Sequence, residues 1–286
     1  MDWLFSPFAD PAMARALAAC IALAFGGAPI GVFLVLRRTS LIGDALSHAI
    51  LPGVAIAFVF AGFSILWMTV GGLLAGLTVA ILSAAVSRLT ALREDASLAA
   101  FFIISLALGT LLVATFGTDD ELLHILFGKV LEMPAEASLT IAGVATATMA
   151  ALALLYRPLV LECFDPGFLR GAGVTGALVH FAFLSLVVLN LISGFQALGT
   201  LMSVGLMMLP AIAARFWSDT AGWQIAVAVG LTIAAGFFGL IVSHHAGTPP
   251  ETTIVLAAGV FYLVSLVAGP RGGIANRVVK LRHLEA

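Results

Sequence analysis

An aspartate, a histidine and a proline stand four residues apart in an otherwise apolar stretch of this 286-residue chain. They are Asp44, His48 and Pro52. Spacing of four places three side chains on one face of a helix, so that the carboxylate and the imidazole can converge on one ligand. A hard oxygen and a borderline nitrogen together suit a divalent metal ion. The stretch therefore predicts a metal site at Asp44 and His48.

Pro52 and Gly53 predict a local break in the same helix. Proline has no N–H, so the carbonyl of His48 should lose its intrahelical donor, and Gly53 weakens the turn further. Membrane proteins use such opened turns to bring backbone oxygens to ions. The alternative is an Asp–His hydrogen bond that only fixes helix packing. Because ionisable residues are costly in a membrane span unless they serve a function, we favour the ion site.

The composition indicates a protein that crosses the membrane several times. Hydrophobic residues make up 62% of the chain and charged residues only 10%, which excludes an ordinary soluble domain and a disordered chain. Apolar runs of roughly 18 to 24 residues match the helical length that crosses a bilayer, and they lack the alternation of a β-barrel. We predict an all-α polytopic bundle, one domain over residues 1–286, with no case for nucleic acid binding. Nine spans are expected, or eight if two short runs form one broken helix, at about residues 12–36, 41–61, 64–86, 97–116, 138–156, 174–194, 198–216, 221–243 and 252–269.

The loop charges predict an orientation. If the spans alternate, eleven of the thirteen Lys and Arg residues fall on one side, and only Arg15 and Lys129 fall on the other. The positive-inside rule then places the N-terminus outside and the C-terminal tail, residues 270–286, in the cytoplasm. The outer face carries a candidate metal route of carboxylates and imidazoles that together would attract cations, although such a residue taken singly is more often a solvated loop residue. Its members are Asp119, Asp120, Glu121, His124, His244 and His245.

A second motif occupies the predicted cytoplasmic loop at about residues 157–173. Asp165 and the proline after it form a sound helix start, and Gly173 can help to end the helix. The short amphipathic helix would carry Phe168 and an exposed Arg170. Such a helix could dock in a groove of a soluble partner.

The number of ligands predicts an oligomer. One Asp and one His are too few for a tetrahedral zinc site or an octahedral manganese site. Two copies related by a two-fold axis would supply two of each. We therefore expect a homodimer with the metal pathway between its subunits.

Three stretches resemble one family. Residues 37–57, RRTSLIGDALSHAILPGVAIA, are similar to the signature of the permease subunits of bacterial zinc and manganese ATP-binding-cassette importers. Residues 164–170, FDPGFLR, and 196–215, QALGTLMSVGLMMLPAIAAR, agree with that family as well.

This resemblance implies an ATP-driven importer of the bacterial inner membrane. Its permease dimer would receive metal from a periplasmic binding protein and be moved by two separate ATPase subunits. Asp44 and His48 would coordinate the metal. The segment with Asp165, Phe168, Arg170 and Gly173 would be the surface gripped by the ATPase.

The sequence lacks motifs for ATP binding and for catalysis, which agrees with a permease that is driven by separate ATPase subunits. The chain has no Gly-x-x-x-x-Gly-Lys-Ser/Thr loop for ATP phosphates, so the energy must come from another subunit. Ser47 and His48 point roughly 100° apart on a helix and cannot form a nucleophile–base pair. We expect a transport subunit without a resident cofactor. Because zinc prefers sites that contain histidine, we expect Zn²⁺ as cargo, with manganese or iron as alternatives. A proton-coupled secondary metal transporter, or a carrier of metal chelates, is the remaining rival.

Overall fold

The computed structural model describes residues 5–62, 64–92, 94–116, 130–164 and 176–275. Its regular structure within these ranges is helical, with 3₁₀ turns at Ser6–Ala9 and Val130–Glu132. The α-helices are α1 (Pro11–Leu36), α2 (Ser40–Ala49), α3 (Leu51–Ala61), α4 (Ile65–Leu89), α5 (Glu94–Phe116), α6 (Ala135–Phe164), α7 (Gly176–Leu198), α8 (Thr200–Ala214), α9 (Ala221–Ala246) and α10 (Pro250–Ala268).

These helices confirm the all-α polytopic fold. Among the described residues, seven stretches are long and apolar enough to cross a membrane, and the α2–α3 pair counts as one of them. The apolar part of α5 and the whole of α8 are shorter. Together they account for each of the nine expected spans.

Helix α1 is the centre of the bundle. Asp10 caps its start by accepting a hydrogen bond from the Ala12 N–H at 2.9 Å, and Pro11 occupies the first helical position, where a missing N–H costs nothing. Every residue from Gly26 to Leu34 is buried, which is expected of a span enclosed by other helices. α1 packs against α6, α7, α8 and α9.

The remaining helices form two groups around α1. Helices α8, α9 and α10 pack on one another on one side, while α2, α3 and α4 pack with α5 on the other. Helix α7 joins the groups by contacting α4, α6 and α8. Aromatic side chains fill the seam, where the rings of Phe33 and Phe183 meet edge to face with centroids 6.2 Å apart.

Contacts at the helix ends agree with alternating spans. At one end, the Val130 N–H donates to Glu251 Oε1 at 2.8 Å. At the other end, Arg271 pairs with Asp219 at 2.8 Å, and Arg37 pairs with Glu162. Which end faces the cytoplasm stays a prediction from the positive-inside rule.

Helix α6 is longer than the sequence predicts. The fifth span was expected to end near residue 156, with Arg157 in a loop, yet the helix passes through Pro158 and ends at Phe164. Leu159 is fully buried and Val160 packs on the same core, so burial offsets the hydrogen bond that the proline removes. The rest of the predicted coupling loop lies outside the described residues, including Asp165, Phe168, Arg170 and Gly173.

Helices α3 and α4 approach each other closely through two glycines. A β-carbon at Gly53 would collide with the carbonyl oxygen of Gly71, and one at Gly71 would collide with the carbonyl of Gly53. Small residues at such crossings let membrane helices come into backbone contact. Gly53 therefore allows close packing, besides weakening the turn after Pro52.

We expect Gly53→Ala to destabilise the protein, because the added methyl group must push α3 away from α4. Overpacking of this kind costs about 1–3 kcal/mol, seen as a lower thermal midpoint of the purified protein. Gly143→Ala in α6 is the matched control, since nothing lies within 4 Å of a β-carbon there. Equal midpoints for the two variants would contradict the close crossing.

Candidate metal site

The predicted helix break lies at Ile50. Helix α2 ends at Ala49 and α3 begins at Leu51, so that Pro52 is in the first turn of α3, where its missing N–H is tolerated. Ile50 keeps right-handed helical angles, with φ −74° and ψ −26°. The chain therefore changes its hydrogen bonding at this point without reversing direction.

The break frees a backbone carbonyl, and a side chain of α5 binds it. The N–H groups of Gly53 and Val54 both donate to the carbonyl of Ile50, at 3.1 and 3.2 Å. The carbonyl of Ala49 accepts instead from the hydroxyl of Ser105 at 2.9 Å. The sequence predicts that the carbonyl of His48 loses its helical donor, because Pro52 has no N–H. The carbonyl of Ala49 is a second acceptor at the break, since the N–H of Gly53 is directed to Ile50.

Asp44 and His48 face the same side of α2, as their spacing predicts. Asp44 Oδ1 and His48 Nε2 are 4.0 Å apart, which is too long for a hydrogen bond. Two ligands of one ion at bond lengths of about 2.1 Å lie roughly 3 to 3.5 Å from each other. A small side-chain rotation would bring both atoms onto one metal ion.

The two side chains differ in exposure. The Asp44 side chain is 63% exposed, whereas that of His48 is 30% exposed. The imidazole lies 5.7 Å from the ring of Phe102 in α5, measured between centroids. Its Nδ1 is buried and has no hydrogen-bond partner in the described part of the chain. Packing therefore holds the ring, and Nε2 is the nitrogen that faces Asp44.

Within the described ranges, Asp44 and His48 are the two candidate ligands that one chain brings together at the break. Among the described residues, no group of three or more His, Cys, Asp and Glu side chains could hold a metal ion. An exposed carboxylate in a membrane-spanning helix is costly in lipid. The geometry is therefore that of an incomplete site, open on the face that Asp44 presents.

The outer candidates are only partly placed. His244 and His245 end α9, are exposed, and have ring centroids 5.3 Å apart. The Nδ1 of His245 is 2.9 Å from the carbonyl of Ile241, so that nitrogen is engaged with the backbone. The other four candidates, Asp119, Asp120, Glu121 and His124, lie outside the described residues.

Sequence reasoning missed two features of the site. Ser105 gave no signal, because a serine in an apolar helix usually bonds a carbonyl of its own helix. Arg37 was counted only as a loop charge, yet it pairs with Glu162 at the end of α6. Neither partner can be predicted without knowing how the helices pack.

The fold and the site define a polytopic membrane protein with an Asp–His pair beside a helix break. A family model described as the ABC 3 transport family matches residues 9–269. The chain belongs to this family, and the resemblance of its motifs is confirmed. It is a multi-pass permease of a bacterial metal ABC importer, located in the plasma membrane, and is not itself the catalytic component.

Named relatives cover nearly the whole chain. The manganese import system permease protein ScaB of Streptococcus parasanguinis is 30% identical over 257 residues, which are 90% of each protein. The chelated iron transport system membrane protein YfeD of Yersinia pestis is 30% identical over 271 residues, covering 93% of this chain and 90% of the relative. The solved structure of PsaBC from Streptococcus pneumoniae in complex with Fab matches with a TM-score of 0.86 at 26% identity, covering 98% of this chain and 99% of the other. Zinc, our expected cargo, finds no specific support among these relatives.

Ser105→Ala should destabilise the helix break, because it leaves the buried carbonyl of Ala49 without its donor. The cost of such an unsatisfied group is about 1–3 kcal/mol, and the thermal midpoint should fall accordingly. Ser185→Ala is the control, since that hydroxyl donates to the carbonyl of Phe181 in its own helix. If both variants melt like the wild type, Ser105 does not support the break.

Proposed function

We propose that this chain is the permease subunit of an ATP-driven importer of Mn²⁺ or Fe²⁺. A periplasmic binding protein delivers the ion, and separate ATPase subunits in the cytoplasm supply the energy. The observation that carries the proposal is the Asp44–His48 pair, which stands open on one face of a membrane helix beside a break.

The choice of metal combines ligand chemistry with the named relatives. Two carboxylates and two imidazoles from a pair of subunits give a mixed oxygen and nitrogen set, and the exposure of Asp44 leaves room for water ligands. Manganese favours carboxylate and water, while iron accepts imidazole as well. The relatives are named for manganese and iron. Manganese or iron is therefore preferred over the zinc that histidine alone suggested.

The proposed site is shared by two copies of the chain. One copy offers two ligands, and transition metals in proteins take four or more. A second copy related by a two-fold axis would place its own Asp44 and His48 opposite the first pair. It would also cover the carboxylate of Asp44, which is 63% exposed in a single chain and would be costly to leave in contact with lipid.

The energy source is proposed to act through the segment between α6 and α7. The sequence contains no phosphate-binding loop, so ATP must be hydrolysed elsewhere. We assign the contact with the ATPase to the short predicted helix of Asp165, Phe168, Arg170 and Gly173. Substitution of Phe168 or Arg170 is expected to detach or uncouple the ATPase.

A site shared by two subunits determines the ratio of metal ions to chains in the dimer. We expect one ion for every two chains in the purified complex, measured by elemental analysis for manganese, iron and zinc after equilibration with equal concentrations of each. The sum of the three metals gives this ratio, because zinc generally binds nitrogen and oxygen ligands more tightly than manganese whatever the cargo. One ion per chain would contradict the shared site, and ATP-dependent uptake of zinc in preference to manganese and iron would contradict the proposed cargo.

Loss of a ligand should abolish transport. Asp44→Asn and His48→Gln each remove two of the four proposed ligands, so we expect affinity and ATP-dependent uptake of Mn²⁺ to fall at least about tenfold in reconstituted vesicles. Asp219→Asn is the control, because this exposed carboxylate lies away from α2 and pairs with Arg271. Normal uptake by both site variants would refute the assignment. Uptake that persists without the ATPase and follows a proton gradient would indicate a secondary transporter.

A further inference from the structure

Arg37 directly follows α1 and contacts both α6 and α7. Its guanidinium donates to the carboxylate of Glu162, and Nη1 lies 3.3 Å from Nδ1 of His180. The guanidinium carbon also lies 4.4 Å from the centroid of the Phe183 ring. Glu162 belongs to the last turn of α6, whereas His180 and Phe183 lie near the start of α7. One side chain therefore bridges the helices on both sides of residues 165–175.

The same residue is tightly connected to the metal-site helix. Only Arg37, Arg38 and Thr39 separate α1 from α2. Arg38 has a left-handed backbone with φ 60°, and the Thr39 N–H returns to the carbonyl of Leu34 at 3.0 Å. Such a short, hydrogen-bonded connection allows little independent movement of α1 and α2. A displacement of Arg37 would therefore reach Asp44, which lies in the second turn of α2.

Burial makes the Arg37–Glu162 pair a firm link. The side chains are 9% and 18% exposed, so water screens their attraction weakly. Separating them would leave a buried charge without its partner, which is strongly unfavourable. The planar guanidinium can also bind Glu162 and His180 while it stacks on Phe183, a combination that lysine cannot reproduce. Exposed ion pairs, by contrast, contribute little.

We propose that Arg37 is a positioning residue that couples the ATPase to the metal pair. When the ATPase moves the ends of α6 and α7, Glu162 and His180 carry Arg37 with them. Arg37 then shifts the start of α2, which alters the position of Asp44 and His48 relative to the partner subunit. The inference rests on the proposed function, because it requires an ATPase that acts between α6 and α7.

The test compares transport with ATP hydrolysis in the same vesicles. The permease is reconstituted with its ATPase subunits, and Mn²⁺ uptake and phosphate release are measured together for Arg37→Lys and Glu162→Gln. We expect Mn²⁺ binding and ATP hydrolysis within about twofold of wild type, and uptake per ATP lower by at least about tenfold. Asp219→Asn is the matched control, since it breaks an exposed ion pair with Arg271 at the same end of the bundle. The control should remain fully coupled.

The double variant shows whether Arg37 and Glu162 act through one shared interaction or affect coupling independently. Because both substitutions remove the same interaction, Arg37→Lys with Glu162→Gln should be no worse than the more impaired single variant. Additive losses would overturn the proposal. Unchanged Mn²⁺ uptake per ATP in the single variants would also overturn the proposal. A parallel loss of Mn²⁺ binding, ATP hydrolysis and thermal midpoint would overturn it as well, because that result indicates a purely structural ion pair. A wild-type complex without ATP-dependent uptake would refute the proposed function itself, whereas coupled variants of an active complex would refute only this inference.

Discussion

Backbone groups inside a bilayer have no water to bind, and this constraint governs the α2–α3 break. Each unpaired carbonyl there is unfavourable, so an opened turn is tolerated only where the protein supplies a donor. The hydroxyl of Ser105 supplies it for Ala49. Asp44 and His48 can therefore lie beside an irregular turn while the span remains compatible with lipid. The same bond ties α5 to the end of α2.

Close packing around the break follows from that constraint. Once the turn is opened, α3 must be held by contacts other than a continuous helix, and the Gly53–Gly71 crossing brings its backbone against α4. Pro52 is covered on the other side, because a β-carbon at Gly109 of α5 would lie 3.0 Å from the Pro52 nitrogen. In lipid, small residues allow the close packing that holds helices together, a role that the burial of apolar surface has in water. Helix α3 is therefore held by its neighbours, whereas Asp44 in the preceding helix is more exposed.

Composition and spacing were sufficient for the parts of this protein that depend on local sequence. Apolar runs predicted the spans, the four-residue spacing placed Asp44 and His48 on one face, and Pro52 located the break within two residues. The parts that depend on packing could not be predicted. Ser105 meets Ala49 across 56 residues of sequence, and Glu162, which was expected in the loop at residues 157–173, lies in the last turn of α6. In each case a tertiary contact overrode a local signal.

The difference between an exposed Asp44 and a buried Arg37 suggests how one chain divides binding from movement. A buried ion pair is costly to separate, which suits a link that must transmit displacement. A metal pair must do the opposite, since an ion that is moved must also be released. Two ligands per subunit at a separation of 4.0 Å form no complete cage by themselves. If the complete site exists only when two such faces meet, then separating the faces is sufficient to release the ion, and the permease needs no further chemistry to let it go.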